Sequence, residues 1–368
     1  MEKKKPSLKE ILSSAVFILI IGGFFALNIV TPEPTVLLSE RRVPAKLPEL
    51  TVDALLSGSF MGKFDGYAAD RFVFRDTFRR IHAFMTLDVY MLSDKAGLYR
   101  SKAVGAGEFR AINETSFRQT TERIKRAADS FEGLDMNIYY SIVPDKSIYA
   151  EMYLPGFDIS TAESLLFGLM GEYEYIRLAG ELSAESFYKT DLHWNQVEIR
   201  GMADYILEAM DAGHTPDVLQ RVLAGEFSGV YAGQLALPID MDAMEYLDVP
   251  GLSVRYLNEK TLEFESGPVY DTERFNGVDP YDLFLRGPQP LIVIENENAP
   301  DRELYLFRDS FGSSLAPLLA TAYSKVTIID LRYIHFMMLD MFVEWSEGAD
   351  VLFIFSSQIF NNPSVLQA

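Results

Sequence analysis

Residues 304–314 read LYLFRDSFGSS and join a continuous apolar run to a serine and then to an Ala- and Leu-rich stretch. Leu304–Phe307 predicts a buried β-strand, and residues 315–322 predict a helix with Pro317 in its first turn, where proline is tolerated. Two further apolar runs alternate with predicted helices, Val326–Asp330 and Val351–Phe355. Continuous apolar strands that alternate with helices are typical of parallel sheets, so the pattern predicts an α/β fold with a mostly parallel sheet flanked by helices.

Ser310 directly follows the first of these strands, at the edge where the sites of open α/β sheets form. A serine between a strand and a helix exposes its hydroxyl, and neighbouring backbone N–H groups, such as that of Phe311, would point at an incoming oxyanion. The glycine pattern differs from that of other nucleophile elbows. The alternative interpretation is that Asp309, Ser310 and Ser313 cap the helix.

The segment DLHW, residues 191–194, supplies the groups that could activate this serine. Asp191, His193 and Ser310 together are what acyl transfer needs: a carboxylate that orients a base, the base, and a nucleophilic hydroxyl. The chain has only four histidines, so few pairings compete. The alternative is that Asp191 caps a helix from about Trp194 to Ala212 and that His193 lies on the surface of its first turn.

Arg332 and Tyr333 follow the strand predicted at Val326–Asp330 and should lie at the same edge as Ser310. They are therefore candidates for binding substrate or an oxyanion, and Trp194 is a third. Pairing of Arg332 with a surface carboxylate is an equally good interpretation. No His-rich spacing predicts a metal site, and no cofactor is expected.

These segments carry a family resemblance. YKTDLHWNQ, residues 188–196, resembles the hallmark of the DHHW family, which is related to the alginate O-acetylation proteins of the SGNH hydrolase superfamily. Leu192 departs from the four-letter motif, but its aspartate–x–histidine–tryptophan form is retained. RDSFGSS resembles the serine block of that group. ADRFVFRDTFRR, YYSIVPDKSIYAEMYLP, DPYDLFLRGPQPLIVIEN and VTIIDLRYI also fit, so the resemblance covers nearly all of the chain from about Glu40.

The resemblance implies an SGNH-hydrolase-like fold in which Asp191, His193 and Ser310 form a catalytic triad. It also implies O-acyl transfer or ester hydrolysis on a cell-surface or exported polysaccharide, with a membrane-bound protein as a candidate acyl donor. The alternative is a non-catalytic glycan-binding or scaffold protein of the cell envelope or spore coat. The two functions differ in whether His193 and Ser310 lie within hydrogen-bond distance in the fold.

The composition limits the classes of protein to which the chain can belong. At 368 residues and 48% hydrophobic, the chain is long enough and apolar enough for a large core. Its formal charge of −20 argues against a nucleic-acid partner and favours a neutral glycan over a polyanionic one. Cysteine is absent, which excludes disulfides, thiolate zinc sites and a lipoprotein anchor.

The N-terminus predicts a membrane anchor. Lys3, Lys4, Lys5 and Lys9 precede Ile11–Val30, an apolar run without a charge. Twenty helical residues span about 30 Å, the thickness of a bilayer core. Because the lysines flank only the N-terminal side, the run is expected to be a single-pass signal anchor, with the N-terminus in the cytoplasm and the rest outside. A cleaved signal peptide is the alternative, but no clear small–x–small site follows the run.

Three further regions are predicted. Residues 31–48 are proline-rich and indicate an extended linker, and residues 49–368 form the extracytoplasmic domain. Within it, residues 224–297 are richer in glycine and contain short β-type runs, Leu252–Leu257 and Leu291–Glu295. This stretch is predicted to be an irregular β insertion beside the main sheet.

The remaining predictions concern helices and one loop. Apolar spacing predicts helices in Gly58–Met91, Glu114–Glu132 and Thr161–Leu178. Phe72, Phe74 and Phe78, in the first of these, are predicted to make core or docking contacts rather than to form a stacking platform. Asp145 and Lys146 follow a strand predicted at Met136–Val143, in a loop that either contacts a ligand or is a simple turn.

Overall fold

The computed structural model of the protein describes residues 7–151 and 157–367, so Lys3, Lys4, Lys5 and the end of YYSIVPDKSIYAEMYLP lie outside the described residues. The chain divides into two compact units. The smaller contains the residues up to Met91 together with Gln234–Leu237, and the larger contains the rest. The predicted limits of the linker, residues 31–48, and of the extracytoplasmic domain, residues 49–368, stay predictions.

The strands and helices follow one another along the whole chain. The strands are β1 (Leu98–Ser101), β2 (Gly105–Glu108), β3 (Asn137–Val143), β4 (Glu174–Tyr175), β5 (Gln220–Phe227), β6 (Asp242–Asp248), β7 (Leu252–Leu257), β8 (Phe264–Gly267), β9 (Leu291–Asn296), β10 (Glu303–Arg308), β11 (Lys325–Ile329) and β12 (Asp350–Ser356). The helices are α1 (Leu8–Val30), α2 (Val52–Leu56), α3 (Ser59–Arg71), α4 (Arg75–Phe84), α5 (Glu114–Asp129), α6 (Ile159–Met170), α7 (Arg200–Ala209), α8 (Val230–Leu235), α9 (Thr272–Phe275), α10 (Phe311–Leu319) and α11 (Ser357–Phe360).

The core of the larger unit is an eight-stranded sheet with the order β4-β3-β12-β10-β11-β9-β7-β8. Pairing is parallel from β4 to β11. One apolar layer packs α7 and α10 on one face, and a second packs α5 and α6 on the other. Because β10, β11 and β12 run parallel, their carboxyl ends meet at one edge of the sheet, where the turn that carries Ser310 begins. The α/β class and the parallel core predicted from the apolar runs are confirmed.

The predicted insertion is wrong in part, because β7, β8 and β9 all belong to the main sheet. They pair antiparallel, β9 with β11, β7 with β9, and β8 with β7. Leu291–Ile294 is buried throughout, so β9 needs neighbours and packing layers on both sides. The β5–β6 hairpin is the part of this stretch that pairs apart from the main sheet.

Three predicted helices have other bounds. Instead of starting at Trp194, α7 starts at Arg200, because Trp194 is held extended by an antiparallel bridge to Phe187. The helix expected to reach Leu178 ends at Met170, and the chain then enters β4. Because α10 already begins at Phe311, Pro317 lies inside it rather than in its first turn.

The smaller unit contains α1 to α4. Within the described ranges, α1 is the one helix long and apolar enough to span a bilayer, and Ser7 and Glu10 form a capping box at its start. The buried carboxylate of Asp70 accepts two hydrogen bonds from Arg42, at 2.7 and 2.6 Å, which lower the pKa of Asp70 to about 2. Core or docking contacts were predicted for Phe72, Phe74 and Phe78; all three side chains are exposed, and the rings of Phe72 and Phe78 contact Phe24 of α1.

Candidate active site

Ser310 lies in the turn between β10 and α10. Its side chain is half-buried, whereas Asp309 and Phe311 on either side are buried. Ser310 occupies the N-cap position of α10 with helical backbone angles, φ −58° and ψ −26°, and its side chain makes no capping hydrogen bond. The helix-cap interpretation therefore fails for Ser310, and its Oγ is left to face other groups.

Asp309 fixes this turn. Its Oδ1 accepts a hydrogen bond from Phe311 N–H at 3.1 Å, and its Oδ2 accepts one from Ser356 N–H, at the end of β12, at 2.9 Å. The carboxylate thus ties the serine turn to the neighbouring parallel strand. The Phe311 N–H, which was predicted to face an oxyanion, donates to Asp309 in the structure.

His193 connects Ser310 with Asp191. His193 Nε2 lies 2.8 Å from Ser310 Oγ, and Nδ1 lies 2.7 Å from Asp191 Oδ1. Asp191 is fully buried and His193 is 4% exposed. An ionised carboxylate only accepts hydrogen bonds, so this geometry favours the tautomer with the proton on Nδ1 and a lone pair on Nε2 facing the serine hydroxyl. The three residues thus have the order and spacing of a nucleophile, a base and an orienting acid.

Asp191 is held by the loop around it rather than by a helix. Its Oδ1 also accepts from His193 N–H at 3.1 Å, and its Oδ2 accepts from Val230 N–H at 3.0 Å. Because α7 begins only at Arg200, Asp191 is not its cap. Gly229 lets the neighbouring chain approach: a Cβ there would lie 2.4 Å from Thr190 O and 2.5 Å from Asp191 Cβ.

Lys146 also holds the loop that carries Asp191. Its buried ammonium donates to the carbonyl oxygens of Tyr188 and Asp191, both at 2.8 Å. Burial lowers the pKa of Lys146 to about 8, although the charges of Asp191 and Asp242 oppose the shift. The sequence placed Lys146 in a loop as a ligand contact or a turn residue, and in the structure it braces the segment that carries Asp191 and His193.

Tyr281 was not predicted and covers one face of the imidazole. The rings of Tyr281 and His193 are stacked, with centroids 3.8 Å apart and planes 6° apart. The buried Tyr281 hydroxyl donates to Ser314 Oγ at 2.7 Å, and burial raises the pKa of Tyr281. No local pattern marks Tyr281, because the contact depends on how distant segments pack.

Trp194 fills the space beside the serine helix. Its Nε1–H lies 3.0 Å from Phe311 O and 2.8 Å from Ser314 Oγ. Because Trp194 is fully buried, its ring is not available to a substrate, which corrects the substrate-binding prediction for it. Trp194 instead joins the DLHW segment to α10.

Arg332 and Tyr333 lie after β11, as predicted. Arg332 Nε and Nη2 donate to the two carboxylate oxygens of Asp330 at 2.8 and 2.7 Å, and its guanidinium lies over the Tyr333 ring. Asp330 is fully buried, so the partner of Arg332 is not the surface carboxylate considered from the sequence. Tyr333 is exposed at this edge. Substrate binding by Arg332 and Tyr333 remains a prediction.

Arg308 is a second unpredicted residue. It is fully buried at the end of β10, with Nη1 3.2 Å from Asp330 Oδ2. Its Nε and Nη2 have no hydrogen-bond partner within the described part of the chain, and burial lowers its pKa. An arginine that ends an otherwise apolar strand was the signal that could have identified it.

Known structures share this architecture. A DHHW family protein from Eubacterium siraeum DSM 15702 matches with a TM-score of 0.55 and 17% identity, over 73% of this chain and 93% of that one. Bacillus cereus PatB1 matches with 0.55 and 17%, over 72% and 97%, and its structure with a sulfonyl adduct with 0.54 and 16%, also over 72% and 97%. No protein-family model and no curated protein matches the sequence. The chain therefore has the α/β fold of the DHHW family protein and of PatB1.

Proposed function

We propose that this protein is a membrane-anchored, extracytoplasmic serine acyltransferase or esterase that acts on O-acetyl groups of a cell-surface or exported polysaccharide. Ser310 is the nucleophile, His193 the general base and Asp191 the group that orients the base. The observation that carries the proposal is the unbroken chain of hydrogen bonds from Asp191 Oδ1 through the imidazole to Ser310 Oγ.

The acyl group is transferred in two steps. Ser310 Oγ attacks the acyl carbonyl carbon while its proton passes to His193 Nε2, and the carbonyl π electrons move to oxygen to give a tetrahedral oxyanion. The oxyanion collapses, the C–O bond to the donor breaks, and Nε2 returns the proton to the leaving alkoxide. Water or a sugar hydroxyl then gives its proton to Nε2 while its oxygen attacks the acyl-serine carbonyl carbon. The bond from that carbon to Ser310 Oγ breaks, and Nε2 returns the proton to Oγ.

Each neighbour of the triad has a part in these steps. Asp191 stabilises the imidazolium that forms after each proton transfer. The stacked Tyr281 ring keeps the imidazole plane fixed, and its π face also favours the cation. The N–H of Ser310 is the proposed backbone donor to the oxyanion, while Asp309 holds Phe311 N–H and the turn in place.

The proposed location of the protein rests on α1, and the proposed class of glycan rests on the net charge of the chain. A 23-residue apolar helix with lysines on its N-terminal side favours an anchor with the larger unit outside the cytoplasm. The negative net charge favours a neutral glycan over a polyanion. The polysaccharide itself rests on the DHHW resemblance, and a membrane-bound acyl-donor protein is part of the same proposal.

Turnover of a chromogenic acetyl ester by the full chain in detergent tests the catalytic part. Ser310→Ala and His193→Ala should each lower kcat by several orders of magnitude, and the double variant should lose little more, because the two residues act as one unit. The matched controls are Ser266→Ala and His214→Ala, which change exposed residues of the same types and should retain activity. Independent, additive losses would contradict a nucleophile–base pair.

Covalent labelling tests the nucleophile separately. Bacillus cereus PatB1 has been solved with a sulfonyl adduct. A small sulfonyl fluoride should add one mass increment to this protein, located at Ser310 by peptide mapping and absent from Ser310→Ala. An adduct on Ser313 or Ser314 would move the nucleophile, and a folded protein that takes up no reagent and turns over no ester would favour a glycan-binding or scaffold function.

A further inference from the structure

The exposed apolar side chains are concentrated in the smaller unit. Between Leu38 and Met91, sixteen large apolar side chains are exposed, against eleven over the described residues from Leu92 onwards, a stretch roughly five times as long. Exposed apolar surface of this density marks an interaction site. The smaller unit also contains the helix proposed to span the membrane, so the position of the exposed side chains relative to α1 decides what covers them.

The turn between α3 and α4 packs on the last turns of α1. The ring of Phe24 in α1 stacks on Phe72 at 5.7 Å and lies 5.8 Å from Phe78. One turn later Asn28 Oδ1 accepts a hydrogen bond from Val73 N–H at 2.9 Å. Beyond the end of α1, Glu33 pairs with Arg71 at 2.8 Å and accepts from Tyr67 at 2.9 Å.

The contacts of α1 change from apolar to charged where the helix ends. The surroundings of a chain that leaves a bilayer change in the same way, from hydrocarbon to water. With 23 residues, α1 is about 34 Å long, which exceeds a hydrocarbon core of about 30 Å by about 4 Å. Phe24 lies six residues, or about 9 Å, before Val30. With α1 centred in the bilayer, Phe24 lies about 7 Å inside the outer boundary, and Phe72 and Phe78 touch it there.

The helix α4 has the pattern of a helix that lies in a membrane interface. At 100° per residue, Phe78, Ile81 and Phe84 fall on one side, and they are between 44% and 53% exposed. The opposite side carries Arg75, Asp76, Arg79 and Arg80. A helix with one apolar and one charged face sinks its apolar face about 5–10 Å into the interface, which agrees with the depth set by α1.

A groove beside α1 lies at the same level. It has a volume of about 610 Å³, opens between α1 and α3, and is lined by Phe25, Ile29, Phe64 and Ala68 among others. Its apolar lining suits acyl chains.

The charged residues are also distributed unevenly between the part of the chain that follows α1 and the larger unit. Residues 31–91 contain eight basic and eight acidic residues, whereas residues 92–368 contain 21 basic and 43 acidic ones. The neutral part is thus the part next to α1, and the strongly acidic part is the larger unit. A neutral segment can approach a bilayer surface, including an anionic one, without the repulsion that the acidic unit would experience.

We propose that residues 59–91 form an interfacial platform that lies in the outer leaflet beside α1, with the apolar face of α4 in contact with lipid. The proposal depends on the anchor in the proposed function and is independent of the catalytic chemistry. The ligand is the lipid surface itself; a protein partner on the same face is the alternative that the test must separate.

The absence of cysteine allows site-specific spin labels without removing native thiols. Ile81→Cys and Arg80→Cys place a nitroxide on neighbouring residues that are both exposed but lie on different sides of α4. The full chain, reconstituted in vesicles of neutral and anionic phospholipid, is then exposed to oxygen, which partitions into lipid, and to a water-soluble nickel chelate. The ratio of oxygen to nickel collision rates should be several-fold higher at Ile81 than at Arg80.

Leu19→Cys, in the middle of α1, separates the anchor from the platform. A lipid-type ratio at Leu19 with equal, water-type ratios at Ile81 and Arg80 would overturn the platform and leave the anchor intact. Low collision rates with both reagents at Ile81 would show a protein contact and would also overturn it. A water-type ratio at Leu19 would overturn the anchor and the platform together. Circular dichroism of each labelled protein confirms that it is folded.

Discussion

The two units of this protein differ in the groups that they bury and expose: the larger unit buries a network of charged side chains, and the smaller unit exposes many large apolar ones. In the larger unit Asp191, His193, Lys146 and Asp309 are buried, and each has hydrogen-bond partners at 3.1 Å or less. In the smaller unit a row of phenylalanines and Ile81 faces outward. Burial of charged groups is costly unless partners compensate, and exposure of large apolar groups is costly unless another surface covers them. The network around the triad therefore has its partners within the larger unit, whereas the apolar face of the smaller unit needs another surface, which we propose is the bilayer.

The comparison also concerns how the residues of the site are held in place. The carboxylate of Asp191 is fixed by backbone N–H groups from two segments, and its carbonyl is fixed by Lys146. A buried network of this kind is strong only when all its members are partnered. Substitutions in it should therefore cost much more than substitutions on the outward face of α4, and four predictions test this difference, beginning with the largest loss of activity.

Asp191→Asn should have the largest effect. The amide keeps the shape of the carboxylate but turns an N–H toward Nδ1 or leaves it without an anionic acceptor, which favours the wrong imidazole tautomer. We expect kcat for an acetyl ester to fall by about 10³- to 10⁴-fold at neutral pH, as for the equivalent change in serine proteases. Asp217→Asn, at an exposed position, is the control. A loss below about tenfold would mean that Asp191 is not the orienting group.

Gly229→Ala should cause the second-largest loss of kcat. It tests the close packing of Gly229 against the loop that carries Asp191. Its Cβ would lie 2.4 Å from Thr190 O and 2.5 Å from Asp191 Cβ, so the loop must move. A displacement of about 1 Å can cost about 10²-fold in rate, and we expect kcat to fall by about 10- to 100-fold. At Gly201, in α7, a Cβ would meet nothing within 4 Å. Gly201→Ala should leave kcat unchanged and stabilise the helix by up to about 1 kcal/mol.

Some parts of this architecture could be predicted from local sequence because their physical cause is local. The strands at Leu304, Val326 and Val351 are buried on both faces and therefore apolar at successive positions, a pattern visible without any knowledge of neighbours. The strand order is set by long-range packing. For that reason β9 was placed outside the sheet although its own limits were nearly correct.

The residues of the candidate site show the same difference between local and long-range causes. Ser310 and His193 were identified by residue type and by the strand that precedes the serine, and the structure brings them together at 2.8 Å. Tyr281 was missed because its contact with His193 is created by packing between distant segments, whereas Arg308 was missed although it ends an apolar strand. Trp194 was assigned to substrate because a tryptophan beside a candidate base suits either role, and only its complete burial separates the two.

The third prediction concerns the charge of Lys146. Its pKa is about 8 in the folded protein against 10.5 for an ordinary lysine. Between these values the unfolded chain binds the proton and the folded chain has released it, so stability rises with pH. From pH 8 to pH 9.5 the free energy of unfolding should rise by about 1.5 kcal/mol relative to Lys146→Met. Urea unfolding followed by tryptophan fluorescence measures this, because both tryptophans, Trp194 and Trp345, belong to the larger unit.

Lys189→Met, at an exposed position close to the same loop, is the control for Lys146. Its curve against pH should run parallel to that of the unsubstituted protein. Measurements stop at pH 9.5, below the ordinary range of tyrosine titration. If the Lys146→Met curve were also parallel, burial would not have lowered the pKa of Lys146, and the hydrogen bonds and carboxylates around its ammonium would compensate fully for its burial.

The last prediction compares one substitution in both units. Ile328, in β11, is 1% exposed, and Ile81, in α4, is 53% exposed. Ile328→Ala leaves a cavity in the core and should lower the free energy of unfolding by about 2–5 kcal/mol. Ile81→Ala removes a side chain that loses little water contact on folding and should change that free energy by less than about 0.5 kcal/mol in detergent. Urea unfolding followed by circular dichroism, which reports both units, measures each value. Equal losses at the two positions would show that the apolar face of α4 is packed inside the protein, and then neither the contrast between the units nor the interfacial platform would stand.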